Sequence, residues 1–190
     1  KRSRVIAPEL IVHFTPGTLP LPALQAIVSG LLVGSAQFLK LSPRGTFVPR
    51  MFAHSIYQRE PKLGACLELA TWPGGNAELE APLLSGARVL CAAGADETLD
   101  DLRSRMPHRT PLLRYGAKVS FAYVDKGATH SLSIRHVLEG LADDITAWDQ
   151  FGCLSPQVVY VQELGETSPD RFAQQLAHLM LTLSARFDTW

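Results

Sequence analysis

One cysteine sits among polar and turn-forming residues in the segment Asp149-Gln150-Phe151-Gly152-Cys153-Leu154-Ser155-Pro156-Gln157. Gly152 leaves room for close approach to the sulfur, and Pro156 stiffens the exit from the turn. A thiol so placed is a candidate nucleophile, because a thiolate attacks carbonyl carbon well even when only partly ionised. A loop cysteine with no role fits these residues equally well. Cys66 and Cys91 lie in apolar runs and are expected to be buried. The six histidines show no metal-binding spacing, and no metal site is expected.

Two further stretches could bind an anion or a ribose. Phe38-Leu39-Lys40-Leu41-Ser42-Pro43-Arg44 carries two cations out of an apolar run. A lysine leaving a buried strand suits a ribose contact, although it could equally snorkel at a sheet edge. Cys91-Ala92-Ala93-Gly94-Ala95-Asp96-Glu97 reads as strand, glycine turn and helix start. Backbone N–H groups at such a start can receive a phosphate oxygen. No GxGxxG fingerprint is present, and Gly74-Gly75 reads as an ordinary turn.

The elements that must hold these residues alternate. Apolar runs at 10–14, 36–41, 65–71, 87–92, 111–115, 119–124 and 158–161 read as strands or extended chain. Helical patterns fall at 21–33, 46–58, 76–84, 96–105, 131–148 and 169–187. Strand–helix repeats of this length predict an α/β fold with a mostly parallel Rossmann-type sheet and helices on both faces. A domain junction is expected near 127–131 or just before Cys153.

Composition bounds the partners. At 190 residues, with 46% hydrophobic and 19% charged side chains, the chain can build a substantial core. Its 18 basic and 18 acidic residues cancel, which argues against a nucleic-acid partner. The most apolar stretch, Leu19 to Gln37, is broken by Pro20, Pro22, Gly30 and Gly34, so no membrane span is expected. No signal peptide is visible. Three cysteines without framework spacing fit a reducing cytoplasm.

The order Asp-Gln-x-x-Cys-x-Ser-Pro-Gln at 149–157 resembles the active-site segment of the acyl-coenzyme A reductase family, typified by the long-chain fatty acyl reductases of bacterial bioluminescence. That family belongs to the aldehyde dehydrogenase superfamily. The resemblance implies an aldehyde-dehydrogenase-like fold, with residues 1–128 as the nucleotide-binding domain and 129–190 as the start of the catalytic domain. It implies that Cys153 takes the acyl group of a thioester such as acyl-CoA, and that hydride from a nicotinamide cofactor then releases an aldehyde. Lys40 and Ser42 match the superfamily's adenosine-ribose contacts. NAD-preferring members often carry a glutamate shortly after that lysine. Pro43 and Arg44 stand there instead, which implies NADP(H), because Arg44 could pair with a 2′-phosphate. Gly94 and Ala95 match the turn under the pyrophosphate, with Ala95 replacing a usual serine.

Two departures matter. Thr18 stands where acyl reductases commonly place an oxyanion-binding asparagine. Arg114-Tyr115-Gly116-Ala117-Lys118 stands where hydrolytic relatives carry Glu-Leu-Gly-Gly-Lys, and an arginine cannot act as the deacylating base. An acyl-enzyme would then survive water long enough to be reduced. Superfamily enzymes are far longer than this chain, so a fragment of a larger cytoplasmic homo-oligomer is expected. An acyl phosphate or carrier-bound donor, or a non-catalytic nucleotide-binding or assembly module, are the competing readings.

Overall fold

The computed structural model describes residues 6–17, 19–129, 133–163 and 168–187. The chain divides into two compact units between Ala117 and Lys118.

The first unit is a five-stranded sheet in the order β3-β2-β1-β4-β5, with every neighbouring pair parallel. Its strands are β1 (Leu10–Phe14), β2 (Ala36–Leu41), β3 (Leu67–Thr71), β4 (Val89–Ala93) and β5 (Leu112–Tyr115). Helices α1 (Leu21–Val33), α2 (Phe47–Arg59), the short α3 (Pro61–Gly64), α4 (Ala77–Gly86) and α5 (Asp96–Arg105) connect them. The order reverses between β1 and β4, which is the strand order of a doubly wound dinucleotide-binding sheet.

Strand alternation sorts the core onto two faces. Val12 and Phe14 of β1 pack with Leu84 of α4 and Leu99 and Leu102 of α5. Leu39 and Leu41 of β2 pack with Ala23 and Ile27 of α1 and with Phe52 and Ile56 of α2. The helices therefore cover both faces, as the strand–helix alternation predicts. Leu39 and Leu90 are wholly buried, and each such leucine contributes about 1.5–3 kcal/mol.

The helix ends follow local chemistry. Gly34 closes α1 at φ +80°, a left-handed conformation that glycine adopts without a Cβ penalty. The Asn76 side chain accepts a hydrogen bond from Leu79 N–H and caps α4. Helix α5 carries Asp96 and Glu97 in its first turn and Arg103 and Arg105 in its last, which suits its dipole.

A polar chain crosses the α1 face. Ile27 C=O can only accept, so the Gln37 amide NH₂ must face it, at 3.0 Å. Gln37 Oε1 then faces His13, and His13 Nε2 must donate to it, at 3.1 Å. Nε2 therefore carries a proton, and the ring is neutral near pH 7 because of its low pKa. Burial pushes it down to about 4, with the Gln37 bond opposing. Gly30 makes room for Gln37, because a Cβ there would collide with the amide.

The second unit is smaller. Strands β6 (Phe121–Val124) and β7 (Val158–Val161) pair in parallel. Between them run a 3₁₀ turn at Lys126–Thr129, α6 (Ser133–Thr146) and a turn at Ala147–Gln150, and α7 (Pro169–Phe187) follows β7. Ile134, Val137, Leu138, Leu141, Ala142 and Ile145 make one apolar stripe along α6 at i, i+3, i+4, i+7 spacing. Phe172 and Leu176 of α7 close onto it with Val124 of β6.

Candidate active site

In the first unit the candidate cofactor residues lie at the carboxyl ends of β2, β1 and β4. Ligands of doubly wound sheets bind at such ends, near the point where strand order reverses. Thr15 N–H donates to Lys40 C=O at 3.1 Å, continuing the β1–β2 pairing past the strand end. Gly17 then nests against the loop after β2. A Cβ on Gly17 would run into the Ser42 side chain and reach Arg44 C=O at 3.0 Å. Gly45, at φ +82°, backs onto Gly17 C=O. Two glycines thus let the loops after β1 and β2 touch, and they bring Ser42 and Arg44 beside Pro16-Gly17. Thr18, the expected oxyanion donor, lies outside the described residues.

Lys40 and Arg44 differ in setting. Lys40 pairs with Phe14 in register and shares its side of the sheet. It is only 9% exposed, so it is an interior lysine rather than one reaching freely into a loop. Burial lowers its pKa, and the nearby Glu80 carboxylate opposes that fall. Glu80 is itself buried and bonded to Arg105 at 2.7 Å. Arg44 is exposed and forms no ion pair among the described residues. Its guanidinium is open to an anion.

The turn after β4 is open. Gly94 N–H donates to Tyr115 C=O at 3.2 Å, and a Cβ at Gly94 would meet nothing. Ala95 occupies the N-cap of α5 with no side-chain hydrogen bond. The first N–H groups of α5 therefore have no side-chain partner, the state in which a helix start receives phosphate. The Asp96 carboxylate turns aside and lies against Gly116, where any Cβ would displace it. The uncapped start of α5 and the exposed Arg44 are suited to anions such as phosphate groups. Arg114 on β5 is bonded to Asp100 of α5 at 2.8 Å.

The cysteine turn lies in the second unit. Helix α6 ends, and the chain passes through three consecutive left-handed residues: Trp148 (φ 56°), Asp149 (φ 52°) and Gln150 (φ 61°). None is glycine, and each such residue costs roughly 1–2 kcal/mol. Phe151 N–H closes onto Trp148 C=O at 3.0 Å, and the backbone then turns through Gly152 to Ser155, whose N–H donates to Gly152 C=O at 3.0 Å. A Cβ at Gly152 would sit 2.7 Å from Ser155 Oγ, so the serine hydroxyl would have to turn aside. Ser155 and Pro156 are buried beneath the turn, and Cys153 is exposed.

Ser120, just before β6, holds this turn. Its hydroxyl donates to Cys153 C=O at 2.6 Å, and its own C=O accepts from Gln157 N–H at 2.8 Å. The Cys153 and Leu154 N–H groups donate no hydrogen bond among the described residues. Nothing in the sequence flags Ser120, because its partner is distant along the chain and only the β6–β7 pairing brings them together. The other cysteines separate. Cys91 is partly buried, and burial raises its thiol pKa. Cys66 is exposed, contrary to expectation, because it precedes β3 in the turn after α3, where its thiol donates to Lys62 C=O.

The parallel sheet and its strand order make this a doubly wound α/β protein, and its fold is shared with aldehyde dehydrogenases. A propionaldehyde dehydrogenase from Rhodopseudomonas palustris, solved with bound CoA and an acylated cysteine, superposes with a TM-score of 0.71 over 90% of this chain and 38% of its own, at 16% identity. The Acyl-CoA reductase (LuxC) family profile matches residues 2–187, and the chain belongs to that family. It is 26% identical over 152 residues to the long-chain acyl-protein thioester reductase of Vibrio harveyi, covering 78% of this chain and 31% of that protein. It is 26% identical over 170 residues to long-chain acyl-protein thioester reductase 2 of Photobacterium leiognathi, covering 87% and 34%. The chain thus spans about a third of the length of the curated relatives it matches. No helix among the described residues is long and apolar enough to cross a membrane.

Proposed function

We propose that this chain carries the nucleotide-binding domain, residues 1–128, and the nucleophile-bearing start of the catalytic domain, 129–190, of an NADPH-dependent acyl thioester reductase. The observation that carries this reading is the Cys153 turn: an exposed thiol beside backbone N–H groups with no acceptor, in a chain of the acyl-CoA reductase family.

The Cys153 sulfur adds to the thioester carbonyl. The oxyanion so formed is received by the Cys153 N–H, with Thr18 as the proposed second donor. Its collapse expels the donor thiol, which takes the proton that Cys153 gives up, and leaves the acyl group on Cys153. When bound, NADPH would supply the hydride that releases the acyl group as an aldehyde and leaves the Cys153 thiolate, which takes its proton from solvent. Lys40 and Ser42 hold the adenosine ribose, Arg44 receives the 2′-phosphate, and the Gly94-Ala95 turn receives the pyrophosphate. Arg114 leaves the acyl-enzyme without a hydrolytic base. The whole enzyme is read as a cytoplasmic homo-oligomer.

The proposed donor is acyl-CoA. A carrier-bound acyl group is the second reading, favoured by the acyl-protein reductases among the relatives. Mass spectrometry of the full-length protein after mixing with acyl-CoA, or with an acylated protein carrier, tests both. The expected result is an acyl adduct on Cys153 that is absent in Cys153→Ala, while NADPH binding is kept. An active Cys153→Ala enzyme ends the proposal, and a nucleotide-binding module without an adduct takes its place.

A further inference from the structure

We propose that Ser120 is a positioning residue for the nucleophile: it fixes the Cys153 peptide so that the neighbouring amides face the reacting carbonyl oxygen. The inference rests on Cys153 being the acylated residue. It adds a group outside the motif that marks the cysteine.

Three observations carry it. Ser120 is locked by the sheet, because its C=O accepts Gln157 N–H at 2.8 Å, one step before the Phe121–Val158 register of β6 and β7. Its hydroxyl donates to Cys153 C=O at 2.6 Å, a short bond for a hydroxyl and a carbonyl. The Gly152–Ser155 hydrogen bond closes the turn but does not by itself fix which way its central Cys153–Leu154 peptide faces. The turn enters through three left-handed residues, and Cys153 and Leu154 are both exposed, Leu154 at 85%.

The geometry follows from the planar peptide. In a trans peptide the C=O and the following N–H point in opposite directions. Holding Cys153 C=O on Ser120 therefore turns Leu154 N–H away from Ser120, toward the exposed side of the turn. That N–H has no partner among the described residues, and neither does that of Cys153. Two adjacent free amides on a restrained turn can act as oxyanion donors, and donors fixed before the reaction need no reorganisation during it. Without the Ser120 hydroxyl, the Cys153–Leu154 peptide can flip within the turn that the Gly152–Ser155 bond closes, and Leu154 N–H loses its aim. No charge is placed on the sulfur by this contact, so the intrinsic reactivity of the thiol stays as it is.

The test is single-turnover acylation of Cys153 in the full-length protein, read by mass spectrometry over a range of acyl-CoA concentrations. Ser120→Ala is expected to lower the maximal acylation rate roughly fivefold to tenfold, the effect of losing about one hydrogen bond's worth of organisation. The half-saturating acyl-CoA concentration should not change. Alkylation of Cys153 by iodoacetamide, which develops no carbonyl oxyanion, should proceed at the parent rate. Ser120→Thr keeps the hydroxyl and should restore acylation. If Ser120→Ala acylates as fast as the parent, or if Ser120→Thr is as slow as Ser120→Ala, Ser120 has no such role. A parallel fall in iodoacetamide alkylation also overturns it, since the thiol's own exposure would then have changed. The absence of any adduct in the parent overturns the nucleophile assignment itself, a result distinct from equal rates in parent and variant.

Discussion

Replacing His13 with glutamine removes a titrating group from the middle of the sheet while leaving an N–H donor where Nε2 stands. His13 is 7% exposed and donates to Gln37, which in turn donates to Ile27 C=O. Its pKa falls from 6.5 to about 4 on folding because burial disfavours the imidazolium. The unfolded chain therefore binds more protons than the folded one between those values, and stability is lost as pH falls through that window. Above about pH 6.5 both states are neutral and nothing is lost. The full gap corresponds to about 3 kcal/mol once both states are protonated, and at about pH 4.5 most of it, about 2.5 kcal/mol, is already gone. Urea unfolding of parent and His13→Gln, followed by circular dichroism at about pH 7.5 and about pH 4.5, reads this directly. Carboxylates titrate alike in both proteins, so the difference between them isolates His13. The parent is expected to lose about 2.5 kcal/mol more than the variant on acidification. Equal losses in the two proteins would refute the burial-lowered pKa of His13 on which the prediction rests.

Arg44→Glu in the full-length enzyme is expected to weaken NADPH roughly tenfold or more while sparing NADH, since it replaces a free guanidinium with a carboxylate facing the 2′-phosphate; calorimetric titration of both cofactors checks it, and equal affinities in the parent count against it. Arg114→Glu restores a carboxylate at the hydrolytic position and should raise release of free acid from the acyl-enzyme when NADPH is absent, because general-base assistance is typically worth about 10²–10⁴-fold. The lost Arg114–Asp100 ion pair is exposed and should cost at most about 1 kcal/mol. A parent that already hydrolyses acyl-CoA as fast as it makes aldehyde would place the base elsewhere. In thiol labelling of the folded protein, Cys153 and Cys66 should react before Cys91, because burial keeps the Cys91 thiol protonated; prior labelling of Cys91 would contradict its placement in β4.

The sequence by itself determined most of the elements and the polar, turn-forming character of the cysteine segment. Period-3.6 stripes such as Ile134 to Ile145, and short apolar runs closed by Gly and Pro, place the longer helices and the strands to within a few residues, because local burial and turn geometry decide them. The alternation also implied a parallel sheet with helices on both faces, since parallel neighbours need a crossover. What local pattern cannot carry is the identity of distant partners. The short α3 escaped, and with it the exposure of Cys66, because a four-residue helix has no period to read. Lys40 reads as a lysine leaving a strand, yet the register sets it opposite Phe14 and near Glu80, in the interior. Gly17 and Ser42 meet only because β1 and β2 are neighbours. Ser120 reaches Cys153 only because β6 pairs with β7 across the whole of α6. The family resemblance at 149–157 marks the thiol as a candidate; the pairing of strands decides which groups hold it, because hydrogen bonds between residues far apart in the chain exist only once the sheet has closed.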